Sequence, residues 1–273
     1  MTSVLPKTSE RLLPERVASR DEHLQYLRHI FAYEQAPPML DPGARVLDFG
    51  CGEGYGAGRL AGHGFEVVGV DVDPAVTAHA EAKYGSEQCR FECYSGRRLG
   101  FDDGAFDAVV SLQVLEHVED GALYVEEAAR VLRPEGRLIL VTPNAATRLK
   151  PGARPWNRFH LHEYTADELR GLLQGTFADV TLAGVMATDD VYAIEMDRVR
   201  QARRMAAVDF LNVRRLIPES LKPWAARVAK RLFPRRDADR GSPEWQTRYG
   251  IDSYFLVEHE VERSLDLLAT CRK

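Results

Sequence analysis

Cysteine is scarce in this chain, and the four present (Cys51, Cys89, Cys93 and Cys271) stand at no metal-binding spacing. Cys89 and Cys93 fall in an expected strand and read as small buried thiols. No apolar run reaches the length that a membrane-spanning helix needs. Residues 1–7 lack the apolar core of a signal peptide, so a cytosolic location is the expectation. Positive charge is also short: the net charge of −5 argues against a nucleic-acid protein as a whole. There are no internal repeats or low-complexity tracts. With 45% hydrophobic and 28% charged residues, the 273-residue chain can bury a core, either as one enlarged domain or as a core plus an insertion.

What is present is organised around residues 45–56. Val46, Leu47 and Phe49 read as a short buried strand, with Asp48 near its end, and alternating glycines then turn it into a helix near Tyr55. Glycine is required where φ is positive or where a ligand approaches bare backbone. About twenty residues on, a second apolar strand ends in Asp71 and Asp73. A doubly wound α/β domain holds a nucleoside this way, with the turn under the ligand and the acid on the ribose. Two patterns compete here. Gly52, Gly54 and Ala57 loosely meet the dinucleotide fingerprint G-x-G-x-x-G/A, whereas Asp48, Gly50, Gly52 and Gly54 meet D-x-G-x-G-x-G in full.

The rest of the chain alternates strand and helix. Strands are expected at 45–49, 66–71, 89–93, 106–112 and 137–142, with helices at 55–62 and 75–83 and another through Tyr124, Ala128, Val131 and Leu132 that Pro134-Glu135-Gly136 closes. Such alternation predicts a mostly parallel sheet with right-handed crossovers. Ahead of it, Leu24, Leu27, Ile30 and Phe31 share one face of a helix over 21–33, which packing or a lid role would explain equally well. Thr165 and Glu168 form a capping box that opens a further helix. Residues 179–185 read as a sixth strand and 265–271 as the last. The intervening link of about eighty residues is too long to lack structure of its own. A nicotinamide-binding half would call for a second catalytic domain, for which no room remains, so the dinucleotide reading recedes.

With these elements in place the chain resembles the class I S-adenosylmethionine-dependent methyltransferases from about residue 40 onward. The resemblance rests on VLDFGCGEGYG (46–56), VVGVDVDP (67–74), FDAVVSLQVLEHVED (106–120), ARVLRPEGRLILVTPN (129–144) and FHLHEYTADEL (159–169). With SERLLPE (9–15) and SLDLLATCRK (264–273), these stretches further resemble bacterial sugar O-methyltransferases of glycan and polysaccharide pathways, the mannoside-methylating enzymes of mycobacteria among them. The resemblance implies an α/β fold, a Rossmann-like seven-stranded mostly parallel sheet with an antiparallel last strand. Together with the residue patterns above, it divides the chain into an N-terminal helical segment (1–44) covering the core, a cofactor-binding core (45–187), a basic helical insertion or cap (188–255) and a final core strand (256–273). It also implies S-adenosylmethionine as cofactor. Asp48, Gly50 and Gly52 would line its methionine portion, Asp71 would accept the ribose hydroxyls and Val72 would lie against the adenine. Ser95-Gly96 stand where the family often has an aspartate for the adenine amino group, and Gln113 joins the cofactor-binding set.

The implied reaction is methylation of a small molecule, most naturally a sugar hydroxyl of a saccharide or glycoconjugate. The alternatives are an N- or C-methyltransferase of secondary metabolism, or a non-catalytic protein that binds S-adenosylmethionine. A hydroxyl is a poor nucleophile at neutral pH and benefits from a base, for which imidazole has suitable basicity. His117 follows the fourth strand, and His160 and His162 follow the fifth, at the carboxyl ends where ligands bind in such sheets. The order of preference for the base is His117, His160, His162. Glu116 and Glu163 stand beside these histidines, to orient one or to share a metal. Some quinone O-methyltransferases carry a metal-binding E-x-x-E-H in the strand-four loop; here Gln113 replaces the first glutamate and leaves Glu116-His117, so a divalent ion is admitted but not indicated. Residues 198–236 hold twelve Lys/Arg against Asp209 and Glu219, a local charge of +10. Within them Trp224, Val228, Arg231 and Leu232 share a helical face, which suits a substrate cap, a peripheral membrane contact or a solvated or dimer-contact helix; nucleic acid fits least, because stacking aromatics are sparse. The oligomeric state is open.

Overall fold

The computed structural model describes residues 15, 17–208 and 244–273. Its centre is an eight-stranded sheet in the order β3-β2-β1-β4-β5-β8-β6-β7. The strands are β1 (Arg45–Phe49), β2 (Glu66–Asp71), β3 (Cys89–Cys93), β4 (Phe106–Leu112), β5 (Leu132–Pro143), β6 (Asp179–Ala187), β7 (Tyr254–Val257) and β8 (Asp266–Arg272). Strands β1 to β5 pair in parallel, and β8 inserts antiparallel between β5 and β6. The α/β fold class and the antiparallel last strand agree with the sequence reading.

Three expectations need correction. The sheet has eight strands rather than seven, because Tyr254–Val257 adds an antiparallel edge strand to β6. The fifth strand begins at Leu132, directly after the helix, instead of after Pro134-Glu135-Gly136; Leu132 pairs with Phe106 across a register shift, and Glu135 absorbs the irregularity at φ 67°. Cys93 is exposed while Cys89 is buried, in keeping with the place of β3 at the edge of the sheet. The proposed helix around Trp224 and most of the basic stretch lie outside the described residues, as does nearly all of 9–15.

Successive residues of the central strands point to opposite faces and are apolar on both, as a covered parallel sheet requires. Val46, Val67, Ala108, Val110 and Ile139 pack on one side beneath helices α1 (Arg20–Tyr33) and α2 (Tyr55–Gly62). Leu47, Phe49, Val109, Leu138 and Leu140 pack on the other, beneath α4 (Gly121–Val131) and α6 (Ala166–Gln174). Helix α3 (Pro74–Tyr84) follows β2, the one-turn helix α5 (Ala145–Arg148) follows β5, and α7 (Asp189–Val208) and α8 (Glu244–Arg248) belong to the long link before β8. Thr165 and Glu168 do form the capping box of α6. No helix among the described residues is long and apolar enough to cross a membrane.

Helix α1 is fastened by charge as well as by its apolar face. Buried Arg28 lies 3.1 Å from Asp266 of β8 and 3.5 Å from Glu195 of α7. Removing one partner would leave an uncompensated buried charge. The strand order reverses between β1 and β4, and their carboxyl ends open the crevice where ligands bind in doubly wound sheets.

Candidate active site

The glycine turn after β1 uses its glycines for different ends. Gly50, Gly52 and Gly54 all have positive φ, at 89°, 51° and 82°. A Cβ on Gly50 would lie 2.4 Å from Val114 Cγ2, and one on Gly54 would lie 2.6 Å from Ala80 Cβ. A Cβ on Gly52 would meet nothing within 4 Å, so its bare backbone faces open space. Gly52 is therefore the position at which a ligand can approach the turn, and the other two close it against α3 and the loop after β4.

Asp71 is set beside that turn by two backbone donors. Gly52 N–H donates to Oδ2 at 3.1 Å and Asp73 N–H to Oδ1 at 3.0 Å. Each oxygen keeps lone pairs beyond these bonds. Val72, the next residue, is 55% exposed, an unusual state for a valine, and a Cβ on Gly96 would stand 3.5 Å from its Cγ1. Val72 and exposed Ser95-Gly96 thus border one slot beside Asp71.

Asp48 is fully buried, and the Tyr33 hydroxyl of α1 donates to both of its oxygens at 3.2 Å. Burial pushes its carboxyl up to about 7, a shift that the Tyr33 hydrogen bond restrains and the nearby Asp71 charge reinforces. The Tyr33 ring also lies across the start of α2, where a Cβ on Gly56 would come within 1.9 Å of Cζ. Alanine in a helix normally stabilises relative to glycine. Here Gly56→Ala is expected to lower stability by about 1–3 kcal/mol through overpacking, read as a fall in Tm.

The other half of the site is built from the loops after β4 and β5. Gln113 holds a left-handed conformation at φ 58°, uncommon outside glycine, and its N–H donates to Val141 O at 2.7 Å. Burial holds the carboxyl of Asp266 above its ordinary value although the Arg28 charge opposes it. Glu116 is fully buried; Thr142 Oγ1 donates to its Oε2 at 3.0 Å, and burial pushes it up to about 8. The Glu116 carbonyl accepts from Leu161 N–H at 2.8 Å, which draws the segment after β5 over the loop after β4.

That contact brings two histidines together. The His117 and His160 rings meet edge to face with centroids 4.8 Å apart. His117 Nδ1 lies 3.0 Å from Phe159 O, and His160 Nδ1 lies 2.7 Å from Glu163 Oε1. Glu163 is gripped by Arg148, Nε to Oε2 at 2.9 Å and Nη2 to Oε1 at 3.1 Å. Burial alone would raise the Glu163 carboxyl, but His160 and Arg148 outweigh it and hold it below the ordinary value. His162 stands apart, its ring 4.4 Å from that of Tyr164. One ligand atom each of Glu116, His117 and His160 lies within 4.8 Å of the others, so these three could hold a metal ion. A separate polar cavity of about 290 Å³, lined by Asp107, Arg133, Arg137 and Arg272, borders the amino-terminal ends of β4 and β5, away from the glycine turn.

The sequence singled out the glycine turn, Asp48, Asp71, Gln113, Glu116 and the two histidines as candidates. Tyr33, Thr142, Arg148 and Asp266 were not, because each acts only across a tertiary contact. Gln113 was among the sequence candidates, but its left-handed backbone was not foreseen.

Residues 47–140 match the family described as a methyltransferase domain. The chain is 39% identical over 272 residues to a probable S-adenosylmethionine-dependent methyltransferase of Mycolicibacterium smegmatis, covering 98% of this chain and 95% of that protein. A ubiquinone biosynthesis O-methyltransferase of Xanthomonas oryzae pv. oryzae is 37% identical over 105 residues, covering 37% of this chain and 44% of its own. A SAM-dependent methyltransferase of Thermotoga maritima shares the fold with a TM-score of 0.55 at 15% identity, covering 93% of this chain and 95% of that one. Full-length similarity, fold and a glycine turn with its paired acid agree: the chain belongs to the class I S-adenosylmethionine-dependent methyltransferases.

Proposed function

We propose that this methyltransferase acts on a hydroxyl of a small acceptor, a saccharide or glycoconjugate, and that the Glu116–His117–His160 cluster activates that hydroxyl. The observation that carries the reading is the meeting of the two imidazoles beside the buried carboxyl group of Glu116, on the loops that follow β4 and β5. The Xanthomonas relative supports oxygen as the acceptor atom; the motifs shared with sugar-methylating enzymes support the saccharide.

The residues around the turn fit S-adenosylmethionine. Open backbone at Gly52 receives the methionine portion, Asp71 takes the ribose hydroxyls, and Val72 with Ser95-Gly96 bounds the adenine. When bound, S-adenosylmethionine supplies an electrophilic methyl group on a positively charged sulfur. The protein's part is then to align an acceptor oxygen with that methyl group and to take charge of the hydroxyl proton. Exposed Phe159 and Leu161 flank His160 and give the acceptor an apolar edge to lie on. On this reading residues 45–187 carry the cofactor, and 188–255 contribute to the acceptor side. The Arg203 guanidinium of α7 supports that division, since it donates to the carbonyls of Thr147, Arg148 and Leu149, directly behind the Arg148–Glu163 pair.

Calorimetric titration with S-adenosylhomocysteine, followed by methyl transfer to a panel of saccharides, phenols and amines, tests the reading. Saturable cofactor binding and methylation confined to saccharide hydroxyls are expected; an amine as the sole acceptor would overturn it. Asp71→Ala removes charge-assisted bonds of about 1.5–3 kcal/mol each, so a loss of S-adenosylhomocysteine affinity of about tenfold or more is expected in the same calorimeter.

A further inference from the structure

The members of the activating cluster are each held in place by a polar contact. Glu116 is fully buried, its Oε2 is fixed by Thr142, and its equally buried Oε1 has no hydrogen-bond partner among the described residues. Such an oxygen is costly unless something of opposite polarity meets it. His160 Nδ1 faces the carboxylate of Glu163, and His117 Nδ1 faces the carbonyl of Phe159. For His160, an Nδ1 that faces a carboxylate carries the ring proton and leaves the lone pair on Nε2. The carboxylate–imidazole contact, buttressed by Arg148, is the outer arrangement that commonly orients a metal-ligating histidine.

We propose that Glu116, His117 and His160 form a binding site for a divalent first-row transition cation, which lies against the acceptor oxygen during methyl transfer. The donor set decides the class: two imidazoles and one carboxylate suit borderline ions such as Zn²⁺, Fe²⁺ or Ni²⁺, whereas Mg²⁺ and Ca²⁺ favour all-oxygen sites. The ligand set differs from the E-x-x-E-H pattern. Gln113, in the first-glutamate position, offers an amide in place of a carboxylate. The third ligand, His160, comes from beyond β5 and reaches the cluster because Leu161 N–H bonds the Glu116 carbonyl. The role, though not the site, rests on the proposed O-methyl transfer. In that step the acceptor O–H bond breaks, its electron pair stays on oxygen and the proton leaves to solvent. Oxygen then bonds to the methyl carbon as the carbon–sulfur bond breaks and that pair stays on sulfur. The cation stabilises the charge that develops on the oxygen.

Cobalt(II) tests the site without any turnover, because its visible absorption reports nitrogen and oxygen ligation. Added to chelator-treated full-length protein, it is expected to give a saturable band at one equivalent per chain, which Zn²⁺ displaces. Glu116→Gln and His160→Asn are expected to abolish the band while circular dichroism stays native; Glu163→Gln is expected to weaken binding about 10- to 100-fold. No band with the wild-type protein, or an equal band in wild type and Glu116→Gln, would overturn the proposal; if Glu116→Gln fails to fold, His117→Gln serves the same comparison. Chelated protein that methylates a saccharide at the full rate would also overturn it and leave the proposed function standing, with an imidazole as the base. Cobalt binding without acceptor methylation would instead uphold the site and strike the proposed function.

Discussion

Replacing His160 by alanine is expected to cut methyl transfer roughly 10²- to 10⁴-fold while leaving S-adenosylhomocysteine affinity unchanged. The split follows from position. His160 lies in the segment after β5, against His117 and Glu163, and makes no described contact with the Gly52–Asp71 side of the crevice. Glu163→Gln is expected to fall between wild type and His160→Ala. It keeps a hydrogen-bond acceptor for Nδ1 but loses the charge that fixes the tautomer, and it strands Arg148 among buried groups. Since His160 and Arg148 hold the Glu163 carboxyl below its ordinary value, it is ionised throughout the neutral range. Its contribution is lost only as pH falls through that lowered value, so a decline in rate near neutrality would belong to other groups. His162→Ala is the control, expected to retain wild-type turnover because its ring packs on Tyr164 outside the cluster. Steady-state rates for the three variants, with calorimetry for the nucleoside, separate these outcomes; equal loss of turnover in His162→Ala and His160→Ala would strike the assignment.

The sequence carried the fold where physics acts locally. Central strands buried on both faces read as near-continuous apolar runs, and glycines with positive φ announce the turn after β1. It failed at β7, where Tyr254–Val257 is only four residues long and half-exposed, and becomes a strand solely because the edge of β6 offers it hydrogen bonds. The site divides the same way. His117 and His160 stand forty-three positions apart, and nothing in their neighbourhoods encodes the Leu161–Glu116 bond that joins them. Tyr33 is an unremarked position near the end of α1 until α1 packs across α2 and places its hydroxyl on Asp48. What escaped the sequence is thus the outer layer of partners, each residue held by a group on a different element.

That outer layer makes Asp48 the place where stability and cofactor binding oppose each other. Its folded-state carboxyl titrates at about 7, well above its ordinary value of 3.8, because burial disfavours the charge. For an acid raised on folding, the stabilising state is the protonated one. Its contribution is complete below the unfolded value and is lost as pH rises through about 7. Asparagine cannot ionise and escapes that loss. Without cofactor, Asp48→Asn is therefore expected to be more stable than wild type by on the order of 3–4 kcal/mol at pH 8, and by less than half as much at pH 5. Thermal melts of both proteins at the two pH values measure the difference. Cofactor binding should run the other way. On the proposed placement a sulfonium near Asp48 favours the carboxylate, so affinity for S-adenosylmethionine rises from pH 6 to pH 8 in the wild type and stays flat in the variant. S-adenosylhomocysteine, which lacks the positive charge, should show little of this dependence in either protein. A variant that gains stability at high pH and loses the pH-dependent preference for the charged nucleoside would tie both effects to one proton on Asp48, whose oxygens accept from the Tyr33 hydroxyl of the covering helix. Equal melting shifts at pH 5 and pH 8 would show that the buried carboxyl is already ionised in the folded protein at both, and the raised titration assigned to it would fall.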